Sequence, residues 1–465
     1  MPDFDVAVVG AGPGGYTAAI RAAQLGLRAA VIEKDNVGGL CLNWGCIPSK
    51  ALLHAAEIAN LLQRGAEFGF AFDNLTLDMS VAIDRSREVV AKFVAGVETL
   101  LKQNKVTVLR GTAKLVDAHT LQLDSGETVA AANIVIATGA RTRSLLNLPV
   151  DGERIITSRE ALDRRQTPAS VVIVGGGPIG VEFGYFYRSY GAEVTIVELL
   201  DRLLPNEDDD IGRQLERSFK AAGIAVRTGT RVEGVEVNGN GVRVTVSKDG
   251  SQEQIEAECV LVGVGFAPHP DDLGLAAAGV ELRNGWVKID GHGRTNVPGV
   301  WAVGDCTGEL LLAHVAAHQA VTAVETIAGR DVPALDYVNM PRAVYCQPQV
   351  ASIGLTESQA RERGLEVRAG RFPFRANGKA MALGETDGFA KVVADRASGR
   401  LLGVHLIGNG VTELIGEASL GSLLGASAHE VAATVHAHPT LSEALKEAAL
   451  ALSGEAIHFY APKRV

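Results

Sequence analysis

The sequence predicts an α/β fold in which one strand–turn–helix–strand unit occurs twice, followed by a C-terminal α+β region. The first unit begins with an apolar strand at residues 5–9, which runs into the glycine-rich turn at residues 10–15. The second begins with a strand at residues 170–174, which runs into the turn at residues 175–180. In both units the next strand ends at an acidic residue, 18 positions after the last glycine of the turn. Two matches with the same spacing indicate one repeated structural device.

Both turns have the pattern G-x-G-x-x-G of a Rossmann-like dinucleotide-binding domain. The glycines permit a tight turn and a close approach of the pyrophosphate, whose charge the helix N-terminus stabilises. Each acid, Glu33 and Glu198, is placed to accept hydrogen bonds from ribose hydroxyls. We therefore predict two such domains and two bound nucleotides. The fingerprint glycines are Gly10, Gly12, Gly14 and Gly15 in the first unit and Gly175, Gly177 and Gly180 in the second.

The second acid discriminates between the two nicotinamide cofactors. A site for NADP needs positive charge near the 2′-phosphate, whereas an acid at the strand end favours the free 2′-hydroxyl of NAD. Arg202 lies nearby and would favour NADP, but Asp201 precedes it and Glu198 holds the strand end. The sequence therefore favours NAD.

Cys41 and Cys46 follow directly after the first unit, in the run Gly-Gly-Leu-Cys-Leu-Asn-Trp-Gly-Cys-Ile-Pro-Ser-Lys. In a regular α-helix, residues i and i+5 lie about 7.5 Å apart along the axis and about 140° apart around it. A disulfide usually needs Cα atoms about 4.4–6.8 Å apart with converging side chains. We therefore expect a break in the helix, which Gly38, Gly39, Gly45 and Pro48 permit. A thiol pair beside a nucleotide unit suggests electron transfer between a disulfide and a redox cofactor.

Other patterns place further elements. Helices are predicted at residues 49–63 and 81–104, and short strands at 106–136. Asp305 ends a buried strand, where it can accept a hydrogen bond from a sugar or ribityl hydroxyl or act as the N-cap of a helix at 311–328.

Near the C-terminus, His438 is a candidate general base, because an unperturbed histidine titrates near pH 6.5. A carboxylate bonded to its ring would fix the tautomer, and Glu443 is the candidate. Glu443 also has the spacing of a capping box in which Thr440 is the N-cap.

Composition excludes several classes of protein. The net charge of −10 and pI near 5.6 argue against binding to nucleic acid or an anionic membrane. Only five cysteines occur, and Cys259, Cys306 and Cys346 are scattered, which is not a secreted disulfide framework. No stretch is apolar over the length of a membrane helix. The N-terminus leads straight into a strand, so we expect a cytoplasmic protein.

Together these motifs resemble the flavin-dependent disulfide reductases, the class I pyridine nucleotide-disulfide oxidoreductase family, and within it the dihydrolipoamide dehydrogenases. The resemblance covers the whole chain and is most specific in the cysteine segment and in His-Ala-His-Pro-Thr-Leu-Ser-Glu at residues 436–443. Departures are small. Leu40 and Trp44 replace residues that are often Thr and Val in the family, and a tail at about 459–465 follows the usual end.

The resemblance implies FAD in the first unit, NAD in the second and no metal site. It divides the chain into an FAD-binding domain (1–143), an NAD-binding domain (144–269), a central domain (270–338) and an interface domain for dimerisation (339–465). Lys50 would lie near the flavin and pair with Glu182. Beside the glycines, the implied FAD contacts are Glu33, Lys34, Gly39, Lys50, Ala113, Thr138, Gly139, Asp305, Leu312, Ala313 and His314. The implied NAD contacts are Pro178, Ile179, Glu182, Glu198, Val232 and Gly265.

The resemblance also implies the roles of the catalytic residues. Cys46 would face the flavin and Cys41 the substrate, while His438, oriented by Glu443, would serve the active site of the partner subunit in a homodimer. The implied reaction is oxidation of protein-bound dihydrolipoamide with reduction of NAD⁺. The implied partners are the lipoyl and peripheral subunit-binding domains of a 2-oxoacid dehydrogenase acyltransferase, or the glycine-cleavage lipoyl protein.

Alternative activities share this fold. An NAD(P)H-dependent reductase of the glutathione-reductase type uses the same cysteine pair but normally prefers NADP, with basic residues near position 198. A mercuric reductase normally needs a C-terminal cysteine pair, whereas the last cysteine here is Cys346. Soluble transhydrogenases lack one active-site cysteine. A non-catalytic flavoprotein would not need Cys41, Cys46, His438 and Glu443 together.

Overall fold

The computed structural model describes residues 2–239, 241–269 and 273–460. The strands are β1 (Phe4–Val9), β2 (Ala29–Glu33), β3 (Thr107–Arg110), β4 (Ala113–Asp117), β5 (Thr120–Leu123), β6 (Thr128–Ile136), β7 (Arg141–Thr142), β8 (Ile155–Ile156), β9 (Ser170–Val174), β10 (Glu193–Val197), β11 (Ala225–Arg227), β12 (Arg231–Asn238), β13 (Gly241–Lys248), β14 (Ser251–Ala257), β15 (Cys259–Val262), β16 (Phe266–Ala267), β17 (Leu282–Arg283), β18 (Trp286–Val287), β19 (Val300–Ala302), β20 (Arg342–Val344), β21 (Gln349–Gly354), β22 (Val367–Pro373), β23 (Phe389–Asp395) and β24 (Leu401–Gly408). The helices are α1 (Pro13–Gln24), α2 (Gly39–Trp44), α3 (Cys46–Gln63), α4 (Met79–Gln103), α5 (Ser158–Ala161), α6 (Pro178–Ser189), α7 (Asp209–Ala221), α8 (Ala313–Ile327), α9 (Glu357–Glu362), α10 (Gly378–Leu383), α11 (Val411–Leu423), α12 (Ala428–Ala433) and α13 (Glu443–Ala451).

The chain divides into two compact units. The first consists of Met1–Leu52, Ser80–Arg143 and Gly265–Tyr337, and the second of Leu53–Met79, Ser144–Val264 and Val338–Val465. The finer division into four domains stays a prediction. Its boundary at residue 270 and the tail residues 461–465 lie outside the described residues.

The main sheet of the first unit has the strand order β3-β2-β1-β6-β5-β4. A seventh strand, β19, pairs with the end of β6 on the edge opposite β1. The strands β3, β2, β1, β6 and β19 run parallel, while β4 and β5 join as antiparallel strands. Between Asp5 at the start of β1 and Glu33 at the end of β2, the strand residues are valine, alanine and isoleucine, as expected for parallel strands that are covered on both faces. α1 and α8 pack together against this sheet, over a core that includes Val8, Ala19 and Val324.

The second unit repeats the device and adds an antiparallel sheet. Its parallel sheet has the order β11-β10-β9-β15-β8, and β12-β13-β14 form an antiparallel meander. The C-terminal sheet, β20-β21-β24-β23-β22, is antiparallel and packs against α11 and α13. The predicted α/β class with two Rossmann-like units and a C-terminal α+β region is confirmed. Among the helices of the described residues, none combines the length and the apolarity that crossing a bilayer requires.

Lys391 on β23 holds three elements of the second unit together. Its ammonium group lies 2.8 Å from Asp208 at the N-cap of α7, 2.9 Å from Asp210 in the first turn of α7, and 3.0 Å from Glu357 at the start of α9. Only 5% of the Lys391 side chain is exposed. Burial lowers the pKa of Lys391, but the carboxylates outweigh it and raise the pKa to about 12. Lys391 is therefore a buried, fully ionised cation that joins β23 to two helix N-termini.

The substitution Lys391→Met is expected to lower the free energy of unfolding by about 3–5 kcal/mol, because it leaves buried carboxylates without their cation. The exposed pair Lys220–Glu216, 2.6 Å apart one turn along α7, provides the control. Lys220→Met is expected to cost less than about 0.5 kcal/mol. Urea denaturation followed by circular dichroism measures both, and equal losses in the two variants would contradict a stabilising role for the cluster.

Candidate active site

The two glycine turns have the same backbone geometry. Gly10 has φ +101° and Gly175 has φ +109°, a region that favours glycine. A Cβ on Gly10 would lie 2.5 Å from the carbonyl oxygen of Ala137, and a Cβ on Gly175 would lie 2.5 Å from that of Gly263. Each turn therefore sits against the segment that leaves a neighbouring parallel strand. Only glycine fits there.

The helices that follow both turns begin without a side-chain cap. Gly12 and Gly177 are the N-caps of α1 and α6, and Pro13 and Pro178 occupy the first helical position. Proline is suited to that position because its missing N–H would have no partner within the helix. The first-turn N–H groups and the positive end of the helix dipole are thus available to a phosphate.

Glu33 and Glu198 are bound identically in their two units. Glu33 accepts hydrogen bonds from the backbone N–H of Ala11 (2.7 Å) and Asp35 (2.8 Å). Glu198 accepts from Gly176 (2.6 Å) and Leu200 (2.7 Å). Both side chains are buried. An ionised carboxylate has about four acceptor positions, so each one is held in place and still has capacity for ribose hydroxyls.

Arg202, which the sequence leaves as a possible contact for a 2′-phosphate, is engaged elsewhere in the second unit. Its guanidinium lies 3.1 Å from Asp201 and 3.2 Å from Asp209 and donates to the carbonyl of Pro205. Because these partners already pair with its charge, Arg202 is not presented as a contact for the 2′-phosphate of NADP. The geometry agrees with the predicted preference for NAD.

The redox segment, residues 38–50, contains the helix break that the cysteine spacing predicts. α2 ends at Trp44, Gly45 has φ −145° and ψ −111°, and α3 begins at Cys46, three residues before the predicted start at 49. A Cβ on Gly45 would lie 2.8 Å from the Leu40 side chain. The break brings the two thiols into hydrogen-bonding contact.

The two sulfurs have different environments. The hydrogen bond with Cys46, burial and the negative charge of Cys46 raise the pKa of Cys41 well above its usual range, while the Lys50 ammonium lowers it by less. Cys46 is the first residue of an 18-residue helix, where the helix dipole stabilises a thiolate. Tyr16 lies beside the pair, and burial followed by the charges of both cysteines raises its pKa.

A second group of predicted residues surrounds the first turn. Thr138 has a hydroxyl that is buried and has no hydrogen-bond partner within the described residues. Burial raises the pKa of Asp305 to about 6. Gly304 donates its N–H to Gln319 at 2.6 Å, and Gln319 in turn donates to Tyr337 at 2.8 Å. An unsatisfied hydroxyl, a desolvated acid and a glycine cradle fit a large polyhydroxylated nucleotide such as FAD.

The structure corrects one role considered for Asp305. The N-cap of α8 is Leu312, which makes no side-chain cap. Asp305 lies instead in the 3-10 turn Gly304–Thr307 that precedes the helix. The N-cap interpretation is therefore wrong, because several residues separate this turn from the start of the helix.

His438 and Glu443 form the predicted pair. The Nδ1 atom of His438 lies 2.9 Å from one oxygen of Glu443, and the other oxygen accepts the N–H of Thr440 at 2.9 Å. The His438 side chain is 77% exposed. Thr440 is not the N-cap as predicted, since α13 begins at Glu443 with Ser442 at that position. The hydroxyl of Thr440 donates to Ala437 instead, so only the Glu443 half of the capping box forms.

The remaining predicted residues fall in one unit or the other. Lys50 and Gly265 belong to the first unit, and Val232 and Glu182 belong to the second, where Glu182 is buried and accepts the N–H of Tyr345 at 3.0 Å. The pairing of Lys50 with Glu182 stays a prediction, as do the cofactor contacts as a set. In the first unit, Gly39, Ala113, Thr138 and Gly139 are at least partly buried, whereas Lys34 and His314 are exposed and Leu312 and Ala313 are half-buried.

Some contacts of the site carry no sequence motif. Tyr16, Gln319 and Arg87 do not belong to any of the patterns above, yet the first two lie against the cysteines and the Gly304 turn. Asn43, inside the redox segment, ties the start of α2 by donating to the carbonyls of Val37 and Gly39. Helical periodicity predicts that Gln319 lies on the buried face of α8, but it does not predict which groups Gln319 bonds to.

Comparisons with known proteins agree with this geometry. A family model described as pyridine nucleotide-disulphide oxidoreductase matches residues 4–320, and the dimerisation domain of the same family matches residues 340–449. The dihydrolipoyl dehydrogenase of Mycobacterium leprae is 49% identical, over 99% of this chain and 100% of its own length. That of Chlorobaculum tepidum is 47% identical, over 96% of each chain.

Solved structures have the same architecture. LpdA from Mycobacterium tuberculosis superposes with a TM-score of 0.89 at 30% identity, covering 96% of this chain and 98% of its own. The HOCl-induced flavoprotein disulfide reductase RclA from Escherichia coli superposes with a TM-score of 0.85 at 27% identity, covering 96% and 99%.

The substitution Glu443→Gln tests the dyad through its pH dependence. Although partial burial raises the pKa of Glu443, the N–H of Thr440 and the His438 ring lower it by more, so the net pKa lies below the usual 4.5. A lowered acid pKa stabilises the fold above the ordinary value and loses this effect as pH falls through the folded value. We expect the variant to be about 1 kcal/mol less stable at neutral pH.

This difference in thermal stability should close as the pH falls below about 4. Differential scanning calorimetry between neutral pH and pH 3 measures it. Glu455→Gln, at an exposed position after α13, serves as the control and should show no such dependence. If the difference in thermal stability between wild type and Glu443→Gln stays constant with pH, the charge of the Glu443 carboxylate does not contribute to stability.

Proposed function

The chain belongs to the pyridine nucleotide-disulphide oxidoreductase family, and we propose that it oxidises dihydrolipoamide to lipoamide and reduces NAD⁺ through FAD and the Cys41–Cys46 pair. Membership confirms the predicted family, enzyme class and cofactors, FAD and NAD. The observation that carries the proposal is the helix break at Gly45, which brings the two thiols into contact beside the first nucleotide turn.

The first half-reaction needs only residues of the protein. His438, contributed by the partner subunit and oriented by Glu443, takes a proton from one substrate thiol, because the thiolate is the attacking species. That thiolate attacks Cys41 in the Cys41–Cys46 disulfide and displaces Cys46. The second substrate thiol then displaces Cys41 and closes the lipoyl disulfide. The substrate loses two electrons and two protons. The cysteines gain both electrons, one proton ends on His438 and the other on Cys41, and Cys46 leaves as the thiolate.

The environments of the two sulfurs support this order. The hydrogen bond with Cys46, burial and the negative charge of Cys46 raise the pKa of Cys41, which favours the protonated form of Cys41. The position of Cys46 at the N-terminus of α3 stabilises its thiolate. We therefore keep the assignment that the resemblance implies, with Cys46 on the flavin side and Cys41 on the substrate side.

The residues that would hold FAD are the first glycine turn, Glu33, Thr138 and Asp305, with Lys50 near the flavin. FAD bound there would supply the redox chemistry that links the two-electron cysteine pair to hydride transfer to NAD⁺. Glu198 would orient NAD through its ribose, and the second glycine turn would bind its pyrophosphate. Glu182 would pair with Lys50.

The dimerisation domain supports assembly as a homodimer. The proposed protein partners are the lipoyl and peripheral subunit-binding domains of an acyltransferase of a 2-oxoacid dehydrogenase complex, or the lipoyl protein of glycine cleavage. Support for them comes from the relatives named dihydrolipoyl dehydrogenase. Location in the cytoplasm stays a prediction.

Replacing either redox cysteine is expected to abolish the reaction. Cys41→Ser and Cys46→Ser should each lower dihydrolipoamide-dependent formation of NADH by about a thousandfold or more, since neither variant can form the disulfide. Cys259→Ala, at a buried position of β15, is the control and should keep full turnover. Retained NAD-linked turnover in Cys46→Ser would overturn the proposed relay.

Thiol counting gives a second measurement of the same variants. Of the five cysteines, two belong to the pair, so the unfolded oxidised wild type should expose three thiols, and five after reduction. Cys46→Ser has four cysteines and should expose four thiols before and after reduction. Two thiols in oxidised Cys46→Ser would indicate a different disulfide within the chain.

Glu198→Gln tests the assignment of NAD. Loss of the charged acceptor for ribose hydroxyls should lower kcat/KM for NAD⁺ by about tenfold, chiefly through KM. The ratio of NAD⁺ to NADP⁺ activity should fall with it. Glu193→Gln, at the exposed start of β10, is the control. An unchanged ratio in Glu198→Gln would show that this carboxylate does not contact the ribose.

A further inference from the structure

Trp44 lies between the two redox cysteines in the sequence, and its ring contacts the guanidinium of an arginine on another helix of the first unit. The guanidinium carbon of Arg87, on α4, is 5.2 Å from the centre of the Trp44 ring. Arg87 also donates from Nη1 to the carbonyl oxygen of Asn43 at 2.9 Å. The same residue of α4 therefore contacts the last two residues of α2 in two ways.

This contact is partly shielded from solvent. The indole Nε1 of Trp44 and the Nε and Nη2 atoms of Arg87 are buried. A cation over an aromatic ring interacts more strongly when it is desolvated, and a charged donor makes a stronger hydrogen bond than a neutral one. Partial burial therefore strengthens both interactions relative to the same contacts in bulk water.

The position of the contact determines its consequence. α2 is a helix of six residues, too short to be stable alone, and its last carbonyls have no partner within the helix. Arg87 satisfies one of these carbonyls, that of Asn43. Directly afterwards Gly45 breaks the helix, so the orientation of α2 relative to α3 depends on what holds the end of α2. That orientation sets the separation of Cys41 and Cys46.

We propose that Trp44 and Arg87 form a clamp that holds the end of α2 against α4 and so keeps Cys41 and Cys46 in the geometry that closes their disulfide. Both are positioning residues, which act on the cysteines through the backbone. The proposal rests on the proposed function, because it assigns the clamp to the same redox pair. Without the clamp, the two thiols spend less time at bonding distance and the dithiol form is favoured.

The thiol–disulfide equilibrium measures this effect directly. The FAD-loaded enzyme is equilibrated without oxygen or NAD in mixtures of reduced and oxidised dithiothreitol. Reduced dithiothreitol gives two electrons and two protons to the pair, its own two thiols forming a cyclic disulfide as the Cys41–Cys46 bond breaks. After an acid quench and alkylation, mass spectrometry of the peptide that contains both cysteines gives the disulfide fraction, and absorbance gives the redox state of the flavin.

Arg87→Met is expected to shift this equilibrium about tenfold towards the dithiol, the effect of losing one hydrogen bond from a charged donor. Trp44→Val, which restores the residue often found in the family, should shift it in the same direction by about threefold. Arg87→Lys keeps the charge without the planar stack and should fall between wild type and Arg87→Met. The double variant should shift it by less than the product of the two single shifts.

A second cation–aromatic pair in the same unit provides the matched control. The guanidinium of Arg294 lies 5.3 Å from the ring of Trp301, so Arg294→Met removes a similar contact that does not involve the redox segment. It should leave the equilibrium within twofold of wild type. If Arg87→Met does not fold or bind FAD, Trp44→Val and Arg87→Lys decide the question.

Shifts within twofold of wild type in the clamp variants would overturn the proposal. The proposed function fails separately, if the wild type does not reduce NAD⁺ with dihydrolipoamide, because the equilibrium with dithiothreitol does not depend on that activity.

Discussion

The contact on which the first unit depends joins backbone to backbone, between the first glycine turn and the start of the redox segment. Gly38 donates its N–H to the carbonyl of Ala11 at 2.8 Å. A Cβ on Gly39 would lie 2.8 Å from the Cα of Gly12. No side chain fits between the two segments. The turn that would bind the pyrophosphate therefore also fixes the origin of α2, and with it the position of Cys41.

The two nucleotide units show how one backbone device acquires two functions. The two units share the glycine turn, the proline at the helix start and the buried acid. The corresponding hydrogen bonds of Glu33 and Glu198 agree in length to within about a tenth of an ångström. The difference begins after the acid. In the first unit the chain returns to the turn and carries two thiols. In the second it continues into a loop in which Arg202 is neutralised by neighbouring acids. Chemistry is thus assigned by the segment that follows the strand.

How well the sequence predicts a contact of this site depends on how far apart its residues lie in the chain. Backbone requirements are local and have few solutions, so the glycine turns, the acids and the helix break are readable from spacing alone. The His438–Glu443 pair is readable because its members lie only five positions apart in the sequence. Contacts of long side chains join residues that are distant in sequence, such as Arg87 with Trp44 and Lys391 with Asp208. Most lysines and arginines on amphipathic elements keep their charged ends in water, so the sequence does not show which of them are buried. Helix starts also shift, because caps depend on which groups find partners, as at Asp305 and Thr440.

A redox pair on separate helices has a conflicting requirement. The sulfurs must approach to bonding distance in the oxidised state and separate as thiols in the reduced state, while α2 and the start of α3 stay packed against the core of the first unit. A flexible glycine between the helices permits this movement, but flexibility alone would also weaken disulfide closure, since each unconstrained backbone dihedral adds conformations in which the sulfurs are apart. Holding the end of α2 through Arg87 limits the movement to the short step at Gly45. Gly45 permits the movement, and the Arg87 cation restricts it to the direction in which the disulfide forms.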